Sequence, residues 1–153
     1  DALPKLLEDF QVVHLCGKDK IDNLLLNTPG YKQFEYIKAE LKDIFAMADI
    51  VISRAGANAI CELLALKKPN ILIPLPAASS RGDQLLNAAS FEAQGYSIVL
   101  NEDDITTNLL VDKVHELYFN RQNYVEAMSK SHQMDAVKTI MELINAAADK
   151  KTN

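Results

Sequence analysis

Short apolar runs alternate with helically spaced segments along this chain, and few folds accept that alternation. Val12-Val13-His14-Leu15-Cys16 reads as a strand ended by Gly17, and Phe34-Glu35-Tyr36-Ile37 as a short second strand after a turn at Pro29-Gly30. Residues 50–53, 70–74 and 96–100 supply three more. Between them, residues 39–48 repeat Leu41, Ile44, Phe45 and Ala48 at helical spacing. Residues 57–66 place Ile60, Leu63 and Leu64 on one helical face, and 83–94 form a helix ended by Gly95. Continuous apolar strands separated by helices predict a parallel sheet covered on both faces, a Rossmann-like α/β architecture. Right-handed crossovers then gather the strand-to-helix loops at one edge, where open α/β sheets bind ligands.

The remaining residues read as helical. Thr106 or Thr107 caps a helix carrying Leu110, Val114 and Leu117, and a short helix follows over 124–129. Met134, Val137, Ile140, Met141 and Ile144 then form an apolar stripe best read as packing. The chain opens inside a helical pattern (Ala2, Leu3, Leu6, Leu7, Phe10), with no strand or glycine-rich turn before it. In a doubly wound sheet the first strand is central. Its absence predicts a gap in mid-sheet and a chain that is a fragment of a larger protein. Residues 1–153 otherwise read as one domain without repeats, low-complexity segments or linkers.

Composition narrows the function classes. A formal net charge of −5 argues against a general nucleic-acid binder. No apolar run approaches the ~20 residues needed to cross a bilayer, and Asp1-Ala2-Leu3-Pro4 lacks the marks of a signal peptide. Two cysteines, Cys16 and Cys61, are too few for a disulfide framework and read as buried reduced thiols, which favours the cytosol. His14, His115 and His132 match no metal-ligand spacing, and no Asp-x-Asp occurs, so no metal or other cofactor is assigned.

Two strand-to-helix turns carry the chemistry. Ser53-Arg54-Ala55-Gly56-Ala57-Asn58-Ala59-Ile60-Cys61-Glu62 follows the third strand. A helix beginning in such small residues turns unpaired backbone N–H groups, at its positive end, toward whatever lies there, and a phosphate suits that place. Glu62 lies four residues after Asn58, on the same face and away from Ile60, Leu63 and Leu64. A carboxylate there accepts from both hydroxyls of a ribose, as acidic residues do in dinucleotide sites. The second turn, Arg81-Gly82-Asp83-Gln84-Leu85-Leu86-Asn87, puts Gln84 and Asn87 on one helical face. Amides suit a neutral sugar because they donate and accept without imposing charge. Together the turns point to a nucleotide-sugar site.

At Ser53-Arg54-Ala55-Gly56-Ala57-Asn58 and Ser80-Arg81-Gly82-Asp83-Gln84 the chain resembles the C-terminal domain of the MurG family. Val13-His14-Leu15-Cys16-Gly17-Lys18 and Phe45-Ala46-Met47-Ala48-Asp49 extend the resemblance to nearly the whole chain. MurG enzymes move N-acetylglucosamine from UDP-N-acetylglucosamine onto a lipid-linked muramoyl-pentapeptide in peptidoglycan synthesis. The resemblance implies the C-terminal half of a GT-B fold that holds the UDP-N-acetylglucosamine donor. An N-terminal domain of the same protein would hold the lipid-linked acceptor, and the whole would sit in the cytoplasm, peripheral to the inner face of the cell membrane. It implies that Gly56, Ala57, Asn58 and Ala59 face the diphosphate, with Ser53 and Arg54 beside them, and that Glu62 holds the ribose. Gln84 and Asn87 would contact the sugar and diphosphate, and Ile37 and Lys38, next to Tyr36, would grip the uracil. The fragment alone should bind donor poorly and should not catalyse transfer.

Plainer readings stand beside these. Gly56 is an ordinary helix start chosen for its backbone angles, or Glu62 pairs with Lys67 or Lys68. Arg54 pairs with a phosphate or with a carboxylate such as Asp49. Asp83, where relatives carry a second amide, is in doubt as a phosphate contact and serves instead as a helix cap; Arg81 faces solvent. Packing accounts for Tyr36 and Ile37, and His14 is a satisfied core histidine. A split-subunit binding domain, as in N-glycan assembly, is an alternative, as is a UDP-N-acetylglucosamine 2-epimerase fragment. The epimerase phosphate turn usually reads Ser-Gly-Gly followed by Gln-Glu-Glu, unlike this one.

Overall fold

The computed structural model describes residues 2–38 and 40–131. The stripe from Met134 to Ile144 lies outside the described residues. In chain order the elements are α1 (Leu3–Leu6), β1 (Val12–Leu15), β2 (Tyr31–Phe34), α2 (Leu41–Met47), β3 (Val51–Ser53), α3 (Ala57–Ala65) and β4 (Asn70–Leu72). They continue with α4 (Ala77–Ser80), α5 (Asp83–Ala93), β5 (Ser97–Val99) and α6 (Thr107–Ser129).

Every strand pairing is parallel. β4 lies between β3 and β5, with Val51 beside Asn70 and Asn70 beside Ser97. β1 pairs with β2 in a separate sheet, Val12 beside Tyr31. The discontinuity expected in mid-sheet is thus present as two sheets. Among the described residues β1 has only β2, and β3 only β4, as a partner, and Val13, Leu15 and Ile52 are exposed.

The three-stranded sheet is covered on both faces, and β4 shows why. Successive residues of a strand point to opposite sides. Leu72 joins Ile60, Leu63 and Leu64 of α3, Ala88 and Phe91 of α5 and Met128 of α6 in one apolar cluster. Ile71 joins Leu6 of α1 and Val114 and Leu117 of α6 in the other. Asn70, buried in the same strand, is satisfied by donating to the Lys68 carbonyl at 2.8 Å and accepting from Ser97 Oγ at 2.6 Å.

Four readings change. The second strand runs over Tyr31–Phe34, earlier than Phe34-Glu35-Tyr36-Ile37, because pairing with β1 begins as soon as the Gly30 turn closes. Its inward residues are Tyr31 and Gln33, and Gln33 is stabilised there by hydrogen bonds with the Asp22 backbone at 3.0 and 2.6 Å. Tyr36 is therefore not core but 66% exposed, in the loop after β2. His14 is likewise on the exposed strand surface, where its Nδ1 meets the Tyr31 hydroxyl at 2.8 Å. Finally, 124–129 is no separate helix: α6 runs unbroken from its Thr106 cap to Ser129. Asn120 and Arg121 bond back to the Glu116 and Tyr118 carbonyls rather than interrupting it.

Candidate functional site

The carboxyl ends of β3, β4 and β5 carry three loops side by side, and the expected site residues fall mainly on the first two. β3 ends at Ser53, whose Oγ donates to the Arg54 carbonyl at 2.9 Å. Ala55 is fully buried, and Gly56 is the N-cap of α3 with no side-chain cap. The first turn of a helix has no internal acceptors for its N–H groups. Among the described residues nothing else accepts from Ala57, Asn58 or Ala59; the first intrahelical bond is Ile60 N–H to the Gly56 carbonyl, 3.0 Å. Gly56 has an ordinary extended backbone, φ −67° and ψ 143°. A Cβ built on it would meet no atom within 4 Å. Backbone angles therefore do not explain the glycine, nor does crowding by its own fold.

On α3, Ile60, Leu63 and Leu64 are buried while Asn58, Cys61 and Glu62 are exposed. Cys61 is thus not the buried thiol expected, since its position follows the polar face. Cys16 is half-buried just beyond β1, its Sγ 3.3 Å from the Phe34 carbonyl, and both cysteines are free. Glu62 has no ion-pair partner among the described residues. Neither lysine proposed for it forms an ion pair with it: Lys68 donates to the Ala48 carbonyl at 2.8 Å, and Lys67, exposed just after α3, has a left-handed backbone φ of 51°.

Arg54 does not pair with Asp49. Its Nη2 donates to Glu102 Oε1 at 2.6 Å and its Nη1 to the Ile73 carbonyl at 3.3 Å, so one guanidinium touches the ends of all three strands. The Arg54 hydrogen bond holds the Glu102 carboxyl below the usual carboxylate range. Glu102 opens a short 3-10 turn, Glu102–Asp104, beyond β5. Sequence reasoning missed it, although an acidic triplet directly after a strand at this edge was a readable signal. A cavity of about 290 Å³ lies against this turn, Pro74, Pro76 and Leu85. None of the expected site residues lines it; Arg54 reaches its wall only through Glu102.

The second loop enters α5 through two left-handed residues, Arg81 (φ 54°) and Gly82 (φ 86°). Glycine takes that conformation freely, and Gly82, not Asp83, is the helix N-cap. Asp83 lies in the first turn of α5, exposed and without a capping bond, where its charge suits the positive helix end. Gln84 accepts from the Leu75 N–H at 3.0 Å, and Asn87 donates to the Ala55 carbonyl at 3.0 Å. Both amides brace the loops with one end, and among the described residues nothing bonds the Gln84 nitrogen or the Asn87 oxygen. Ile37, half-buried, and Lys38, exposed, lie in the β2–α2 loop.

Among the described residues no group of three His, Cys, Asp or Glu side chains is placed to hold a metal ion, and no helix is long and apolar enough to cross a membrane.

The family model for the glycosyltransferase family 28 C-terminal domain matches residues 1–144. A protein of Lachnospira eligens called UDP-N-acetylglucosamine--N-acetylmuramyl-(pentapeptide) pyrophosphoryl-undecaprenol N-acetylglucosamine transferase is 61% identical over 93% of this chain and 40% of its own length. The protein of the same name from Geobacillus thermodenitrificans is 52% identical over 96% of this chain and 41% of its own. The chain thus spans about two fifths of the curated relatives it matches. In structure it resembles Acinetobacter baumannii MurG with a TM-score of 0.73, covering 95% of this chain and 43% of that one at 23% identity, a likeness of fold.

Proposed function

Because the chain belongs to the glycosyltransferase family 28 C-terminal domain family, we propose that it holds UDP-N-acetylglucosamine for an inverting N-acetylglucosaminyltransferase of lipid II synthesis. One observation carries the reading: the α3 tip is open at Gly56, and the N–H groups of Ala57, Asn58 and Ala59 have no partner among the described residues. A glycine that its own fold does not require is accounted for by close approach of something else, and a diphosphate answers the N–H groups. Asn58 and Glu62 share the exposed face that leads away from that tip, so Glu62 takes the ribose diol. The spare ends of Gln84 and Asn87 orient the sugar, Ser53 and Arg54 flank the phosphates, and Ile37 and Lys38 meet the uracil.

In this reading an acceptor hydroxyl forms a bond to the anomeric carbon as the bond to the diphosphate oxygen breaks. The hydroxyl proton passes to a base in an N-terminal domain of the same protein, which also holds the lipid-linked acceptor. The α3 tip stabilises negative charge growing on the departing UDP. The whole protein works in the cytoplasm, peripheral to the inner face of the membrane; no nucleic acid is involved.

The test is a melting experiment on the whole protein with UDP and UDP-N-acetylglucosamine. Ligand at one hundred times its dissociation constant adds ~2.7 kcal/mol of apparent stability. Glu62→Ala should melt like the wild type without ligand and lose most of the shift. A wild-type protein whose melting neither ligand moves would refute the proposal.

A further inference from the structure

Arg54 is the cation closest in sequence to the α3 tip, yet its guanidinium is turned to the other two strand ends. Nη2 donates to Glu102 Oε1 at 2.6 Å, and Nη1 to the Ile73 carbonyl at 3.3 Å. We propose that Glu102 is an internal stand-in for the donor's diphosphate: it holds Arg54 until the phosphates arrive and then yields it, so that Glu102 sets donor affinity as a positioning residue. This rests on the donor reading above and adds to it a competitor built into the fold.

Carboxylate and phosphate oxygens make the same demand on a guanidinium, and both are met by its planar fork. An arginine already seated on an anion here is therefore formed for another. The exchange is easy because the two side chains are 45% and 43% exposed, and exposed ion pairs are weak. A diphosphate carries more charge than the single carboxylate it displaces, which favours the exchange. The Ile73 carbonyl keeps one Nη in place, so the guanidinium has an anchor about which to turn. Asp103 and Asp104 follow Glu102 on the same turn, so the local field repels an incoming anion until Arg54 meets it.

The experiment is calorimetric titration of UDP and of uridine into the whole protein and into Glu102→Gln, Glu102→Asp, Arg54→Met and Glu102→Gln/Arg54→Met variants. Glu102→Gln frees Arg54 and should tighten UDP binding by about two- to fivefold, the range an exposed pair supports. Uridine, which has no phosphate, should bind alike in all variants. Glu102→Asp should keep the wild-type affinity, and the gain should vanish in the Arg54→Met background. If Glu102→Gln leaves UDP binding unchanged or weaker, or if the gain persists without Arg54, the proposal is overturned. A wild-type protein that binds no UDP overturns the donor reading itself, whereas UDP binding indifferent to Glu102 removes only this role.

Discussion

Asn87 donates from Nδ2 to the Ala55 carbonyl at 3.0 Å, so α5 is bonded directly to the loop that carries the α3 tip. Ala55 is fully buried and Asn87 half-buried, which puts this bond out of reach of easy replacement by water. The side chain expected to touch a sugar thus also sets the distance between the two helices around the site. Asn87→Leu keeps the bulk and removes the donor. It should destabilise the fold by about 1–3 kcal/mol, the cost of leaving a buried acceptor unmatched. Urea unfolding measures this, and a variant as stable as the wild type would show that the bond to the Ala55 carbonyl does not hold the two helices together.

At Gly56 stability and binding should move apart. Its φ of −67° suits any residue and a Cβ there meets nothing, so Gly56→Ser fits without strain. Serine is at least as good an N-cap as glycine, because its oxygen accepts from the first-turn N–H groups. Stability should hold or rise by up to about 1 kcal/mol, while UDP binding by the whole protein weakens at least tenfold. Thermal melts with and without UDP check both halves, and binding at wild-type strength would remove the diphosphate from the tip.

Burial separates two leucines that sequence alone treats alike. Leu72 of β4 is 0% exposed, against α3 and α5, whereas Leu24, in the loop between β1 and β2, is 92% exposed. Leu72→Ala should cost about 2–5 kcal/mol through lost transfer energy and the cavity left behind. Leu24→Ala should change stability by less than about 0.5 kcal/mol. Paired denaturant midpoints test the contrast.

The same distinction governs what was legible beforehand. β3, β4 and β5 were readable as short apolar runs, α3 because Ile60, Leu63 and Leu64 recur at helical spacing on the face it buries, and α5 because Gly95 marks its end. β2 was not, because one of its inward residues is Gln33, whose burial depends on two bonds to Asp22 eleven positions away. The helix read through Leu117 and the short one over 124–129 are one, because packing of Tyr124, Ala127 and Met128 against the core carries α6 through Asn120 and Asn123, whose helix propensity is only moderately low. The α3 tip was local and appeared where expected. The Arg54–Glu102 pair spans 48 positions, and no local pattern announces which carboxylate of many an arginine will meet.

His115 supplies a pH dependence remote from the site. Its Nδ1 lies 2.9 Å from the Val111 carbonyl and its Nε2 3.0 Å from Asp9 Oδ2. Both partners accept, so both bonds need an imidazole carrying two protons. The Val111 hydrogen bond first, then the Asp9 bond, raise its pKa above the ordinary 6.5, and the charges of Asp9 and Asp112 act the same way. Phe10 meets the ring edge-on at 5.1 Å, so the cation fastens the segment after α1 onto α6. A group whose folded pKa is raised stabilises the fold fully below its unfolded pKa and loses that contribution as pH rises through the folded value. Stability relative to His115→Gln, which keeps polarity but cannot charge, should therefore be greatest near pH 5.5 and shrink once pH passes about 6.5. Denaturant unfolding of both proteins from pH 5 to 9 measures the difference, and a difference that stays constant across that range would show that the second proton plays no part.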